Sequence, residues 1–172
     1  MKIIFLDFDG VLNSAQSAQF WHSRRDQAAW EDAMYRDWPG TLKEYIAMEF
    51  CPIAFSNVEE LVKRTGAKIV VSSTWRIGET VETLKEILKP SQIIASAVIG
   101  KTESFSNVRG NEIKKWVDSW NNMIKNDPIT NYVIIDDDSD MLEEQKTSFV
   151  KTSSLHGFQF ADMLKAEKIL IK

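Results

Sequence analysis

Aspartates gather in two places along this 172-residue chain: Asp7 and Asp9 flank Phe8, and Asp136, Asp137 and Asp138 run together far downstream. Each group directly follows a short apolar run, Ile3 to Leu6 in the first case and Tyr132 to Ile135 in the second. If four of these acids converge, each pair about 5 Å apart repels by roughly 3 kcal/mol at an effective dielectric of 20. A cation must offset that. Oxygen ligands without His or Cys select a hard ion, and a site that keeps positions open for water and substrate oxygens suits Mg²⁺ better than a calcium cage.

The runs that carry these acids lack polar alternation, as strands covered on both faces do. Lys68 to Val71 and Gln92 to Ala95 read the same way, and Ser148 to Lys151 is a weaker fifth candidate. Helical patterns lie between them. Ser56-Asn57 could cap a helix carrying Val58, Leu61 and Val62 and ended by Gly66; Glu79 to Leu88 is a second, with Pro90 beyond it. Gly110 to Ile124 places Ile113, Trp116, Val117 and Trp120 on one face. Strands alternating with helices predict an α/β fold: an open parallel sheet with helices on both sides. In such sheets ligands bind beyond the carboxyl ends of the strands, where both acidic groups fall. The stretch 14–50 is far too long for a first βα connection. Its aromatics (Phe20, Trp21, Trp30, Tyr35, Trp38, Tyr45) and helix-like spacing suggest a small helical lid.

Phe5-Leu6-Asp7-Phe8-Asp9-Gly10-Val11-Leu12-Asn13 resembles the first motif of the haloacid dehalogenase-like (HAD) superfamily. Ile69 to Ser73 resembles its second motif and Val133 to Asp137 its fourth, in the right order. The run Ser72-Ser73-Thr74-Trp75-Arg76, then Arg109 to Ile113 with Trp116, then Tyr132 to Met141, is similar to the small phosphatase domains of RNA-repair proteins. The resemblance implies a three-layer αβα Rossmann-like domain over 1–172, with 14–50 as a cap inserted after the first strand. It also implies roles. Asp7 would be the nucleophile, and Asp9 the acid that protonates the leaving oxygen and later deprotonates water. Mg²⁺ would be held by Asp7, the backbone carbonyl of Asp9 and Asp137, with Asp136 close by. Ser72 would bond a phosphoryl oxygen, Ser73 being a near substitute, and Gly10 would belong to the same substrate-binding loop. The third-motif base is Arg109 in the closer branch, with Lys114 and Lys101 as alternatives; Arg76 would add a substrate-side contact. Phe158 after Gly157 departs from the leucine that the family pattern carries there.

Competing readings assign some of these residues elsewhere. Asp138 and Asp140 suit the first turn of the next helix, where acids favour the dipole. Trp75, Trp116 and Trp120 read as packing, the aromatics of 14–50 as the lid's own core, Arg24-Arg25 as solvated charge, and His22 and His156 as isolated. Residues 95–102 match a relaxed phosphate-binding loop, which would make the chain a nucleotide-binding module; Ser96 to Ile99 resist the positive-φ turns such a loop needs. A catalytically silent phosphate-binding domain is the other alternative. The formal charge of −4 gives no basic footprint for duplex DNA, though a nucleic-acid end or a small phosphate ester remains an expected partner. One cysteine, Cys51, excludes an internal disulfide, and the opening run is too short and acidic for a signal peptide or a membrane span, so a cytoplasmic protein is expected.

Overall fold

The computed structural model describes residues 1–24 and 50–172, with the backbone alone at Trp21, His22 and Arg24. Its elements are β1 (Lys2–Leu6), α1 (Ala15–Arg24), α2 (Pro52–Thr65), β2 (Lys68–Val71), α3 (Val81–Ile87), α4 (Gln92–Ala97), β3 (Val98–Lys101), α5 (Arg109–Met123), β4 (Asn131–Asp136), β5 (Phe149–Lys151) and α6 (Phe160–Leu170). Short 3₁₀ turns cover Thr74–Arg76 and Glu143–Ser148. The strands form one parallel sheet in the order β3-β2-β1-β4-β5. The chain thus builds outward from β1 to β3, then returns to β4 on the other side of β1. That reversal leaves a crevice above the carboxyl ends of β1 and β4.

Alternation along the strands sorts the core into two layers, as a period of two requires. Ile4 and Leu6 of β1 join Ile69, Val71, Val133 and Ile135 on one face, covered by α2, α3, α4 and α6. Ile3 and Phe5 face the other way with Val70 and Ile134, against Ile113 and Trp116 of α5. The result is the expected three-layer αβα arrangement. Among the described residues no helix is long and apolar enough to cross a membrane.

Three local readings are corrected. Gln92 to Ala95 is not a strand but the body of α4, whose first turn is capped by Ser91 Oγ accepting from Ile94 N at 3.2 Å. The third strand is the next four residues, Val98–Lys101. A short apolar run does not distinguish strand from buried helix, and Ala95 and Ala97 tip this one toward helix. The same finding removes the phosphate-binding loop at 95–102, because helix followed by strand is the reverse of the order such a loop needs. Ser56 and Asn57 lie inside α2 rather than before it: Pro52 takes the first turn, and Asn57 is buried, donating to Phe158 O at 3.0 Å. Gly66 does end α2, in the left-handed region at φ 65°. Of the segment 14–50, α1 is described; Arg25, Trp30, Tyr35, Trp38 and Tyr45 lie outside the described residues.

Candidate active site

Each strand of the central trio hands its hydrogen-bond ladder on by one residue. Asp7 N donates to Ile135 O at 3.1 Å and Ser72 N to Leu6 O at 3.0 Å, which pins the rim residues to the sheet. Asp7 therefore stands beside the end of β4, and one carboxylate oxygen from each of Asp7, Asp136 and Asp137 lies within 4.8 Å of the others. Gly10 makes this approach possible. It turns the chain at φ 65°, and a Cβ there would sit 2.2 Å from Asp137 Cγ.

The acids are not equally solvated. Asp136 has no exposed surface, and burial, reinforced by the Asp7 charge, pushes its carboxyl up to about 7 despite Arg109. Burial also raises Asp7, against the lowering effect of Arg109 and a hydrogen bond from Ser73. Asp137 is raised by burial and then by Asp138. Uncompensated carboxylates are what these shifts report, and they are what a hard cation would relieve. Two buried polar atoms point the same way: Asp136 Oδ2 and Ser72 Oγ have no hydrogen-bond partner among the described residues. An all-oxygen set with orphaned acceptors fits Mg²⁺.

Arg109, the first residue of α5, supplies the counter-charge. Its Nη1 donates to Asp7 Oδ1 at 3.4 Å and to Ser72 O, and its Nε lies 3.5 Å from Asp136 Oδ2. Burial works against its charge, but Asp7, Asp136 and Asp140 outweigh that and raise its pKa. Asp140 also aims it: Oδ2 accepts from Arg109 N at 2.7 Å and the Asp140 carbonyl accepts from Gly110 N. Asp140 thus charges the start of α5, not of the element that follows it in sequence, a pairing that only the tertiary fold creates. A polar cleft of about 240 Å³ lies against Arg109, lined also by Thr74, Ser104, Ser106, Asn107 and Asp138.

Other expected site residues are placed elsewhere. Lys114 pairs with Asp118 at 2.8 Å on the outer side of α5. Lys101 Nζ is held by the carbonyls of Arg76 and Glu79. Arg76, expected at the substrate, is instead buried and fully used: it donates to the carbonyls of Thr102, Ser72, Ser73 and Glu103 and to Glu112 Oε2. Five N–H groups meet five acceptors, so none is left for a phosphate. Asp9 stands apart from the three-acid cluster. Its carboxylate accepts from Asn13 Nδ2 and Trp75 Nε1, both at 2.9 Å. Neither donor was anticipated; Asn13, four residues on in the same loop, was within reach of sequence reasoning, whereas Trp75 arrives from another strand end.

A family model described as the HAD domain in Swiss Army Knife RNA repair proteins matches residues 3–163. No curated protein and no solved structure matches the chain. A match over nearly the whole chain, on a sheet whose reversal point gathers the first- and fourth-motif acids, shows that the chain belongs to the HAD domains of Swiss Army Knife RNA repair proteins.

Proposed function

We propose that this domain is a Mg²⁺-dependent phosphatase that hydrolyses a phosphomonoester through an aspartyl-phosphate on Asp7. The observation that carries the reading is the convergence of Asp7, Asp136 and Asp137, with Arg109 and the unpartnered hydroxyl of Ser72 on the same rim. Mg²⁺ would be held by Asp7, Asp137 and the Asp9 carbonyl, with Asp136 beside them, and when bound supplies positive charge to the phosphoryl oxygens.

The protein's own groups do the rest. An Asp7 oxygen attacks phosphorus while the ester P–O bond breaks, and Asp9 gives its proton to the departing oxygen. Water then attacks phosphorus, its proton passes to the Asp9 carboxylate, the P–O bond to Asp7 breaks and inorganic phosphate leaves. Arg109 and Ser72 hold phosphoryl oxygens. Arg109 Nη2 has no protein acceptor among the described residues, so it has donors to give. Gly10 keeps the loop close, and Ser73 steadies Asp7. The polar cleft beside Arg109 gives the leaving group room.

The family description favours a terminal phosphate on a nucleotide or polynucleotide as substrate. The whole chain acts as one domain, with 14–50 as the cap that decides what reaches Asp7, and a single cysteine suits a reducing cytoplasm. A hydrolysis screen with and without Mg²⁺, over sugar phosphates, mononucleotides and 3′- or 5′-phosphorylated oligonucleotides, tests this. Turnover should need Mg²⁺ and vanish in Asp7→Asn. Retained turnover in that variant would falsify the nucleophile assignment, and phosphate binding without turnover would make the domain a silent binder.

A further inference from the structure

Asp9 differs from the other rim carboxylates in how it is held. Each of its oxygens accepts from one neutral side chain, Oδ1 from Asn13 and Oδ2 from Trp75. Asn13 also accepts the Gly10 N–H at 3.1 Å, so one amide ties the turn to the acid. Trp75 reaches across from the 3₁₀ turn after β2, and its ring is seated by aromatic neighbours, with centroids 5.5 Å from Phe8 and 5.6 Å from Phe50. Phe8 lies between Asp7 and Asp9 and is fully buried; Phe50 is the residue where the described chain resumes after the inserted segment.

A carboxylate on an exposed loop turns freely about both side-chain torsions, whereas one bond to each oxygen fixes its plane and direction. Neither donor carries charge, so neither competes with the cation or with Arg109 for a phosphoryl group. Resting on the reading of Asp9 as the acid–base group, we infer that Trp75 and Asn13 are positioning residues that hold its carboxyl where the proton must pass. Phe8 and Phe50 set the indole, and through it the acid, so the chain returning from the insertion bears on the acid by direct packing.

A positioned acid matters in proportion to the basicity of the leaving oxygen: an alkoxide needs the proton, and nitrophenolate departs largely without it. The test measures kcat/KM on ethyl phosphate and on p-nitrophenyl phosphate for the wild type, Trp75→Phe, Asn13→Ala, Asp9→Asn and Asp7→Asn. Trp75→Phe keeps the ring and removes the donor. It and Asn13→Ala should each lose about tenfold or more on ethyl phosphate and less than about threefold on the aryl ester, with Asp9→Asn showing the same asymmetry enlarged. Equal loss on both esters, or none on ethyl phosphate, overturns the positioning role. Should Trp75→Phe fail to fold by circular dichroism, Asn13→Ala decides alone. A wild type inert toward both esters, mononucleotides and phosphorylated oligonucleotides alike overturns the phosphatase reading and the inference with it; where only a nucleotide turns over, its alkoxide leaving group takes the place of ethyl phosphate and the same loss is expected on it. Wild-type turnover that Asp7→Asn abolishes, joined to substrate-independent losses in the two variants, overturns the inference only.

Discussion

Arg76 and Arg109 both donate to the carbonyl of Ser72, yet they belong to regions of opposite character. Every donor of Arg76 is satisfied, although the hydroxyl of its neighbour Thr102 is not. Its guanidinium closes four carbonyls and Glu112, and Glu112 in turn accepts from Phe105 N and Ser106 N, so a single ion pair staples the turn after β2 to α5 and to the loop before it. Around Arg109 several groups are not satisfied, Nη2 among them. Its partners Asp7 and Asp136 are carboxylates pushed toward their neutral forms, and Ser72 Oγ, Asp136 Oδ2 and Asp140 Oδ1, all on residues that touch it, accept or donate no hydrogen bond among the described residues. One residue type serves as a staple where its donors are consumed, and where they are not, at Arg109, we propose that it binds phosphate. Unspent hydrogen-bonding capacity on the basic group itself, more than its burial or charge, separates the two sides of this rim.

That contrast can be broken by substitution. Arg76→Met should cost about 3–5 kcal/mol of unfolding free energy, because it strands Glu112 as a buried charge; Arg76→Lys should recover little, lacking the fork. Denaturant unfolding measures this, and a loss below about 1 kcal/mol would show that the staple is dispensable. Arg109→Met should lower kcat/KM by about 10²- to 10³-fold, with a far smaller stability change than Arg76→Met, since the carboxyls it leaves can take up protons. Comparable destabilisation by the two variants would erase the distinction.

A third outcome concerns pH. The folded form holds the Asp136 proton, with a pKa of about 7, more tightly than the unfolded chain does at about 3.9. The contribution of Asp136 to the stability of the chelator-treated protein should therefore be fully present below about pH 4, fall by at most about 1.4 kcal/mol per pH unit, and be lost as the pH rises through about 7. Asp136→Asn should flatten the curve, and millimolar Mg²⁺ should restore stability at the upper end; a profile unaffected by either would remove Asp136 from the cluster's electrostatics. The smallest effect belongs to Asp140. Asp140→Ala should cost about 1 kcal/mol by uncapping α5, and should reduce activity only as far as Arg109 swings away. Thermal unfolding and turnover, measured together, separate the two.

Much of the fold was legible because burial on both faces leaves a mark on composition. Lys68 to Val71, Tyr132 to Ile135 and the weak Ser148 to Lys151 are strands, near the bounds their apolar runs suggest. Gln92 to Ala95 carries the same mark and is helix, since the inner face of a helix packed at the sheet's edge is as apolar as a strand. The acids of the site were legible from their positions after strands and from the motif resemblance. Arg76, Lys114 and Lys101 were not, because a basic residue near a motif looks the same whether its donors face substrate, solvent or the backbone.

The sequence alone determined which carboxylates end the strands, that the donors there are all oxygen, and that Gly10 follows Asp9. Those properties are local: residue type, spacing and the chain's direction decide them. The tertiary structure decided which charges meet. The reversal of strand order sets Asp7 beside Asp136 and Asp137, Asp140 finds the start of α5 rather than its own neighbour, and Trp75 crosses from β2 to hold Asp9. Contacts between distant segments depend on how strands are ordered and helices packed, and hydrogen-bonding capacity left unspent becomes visible only once every partner is in place.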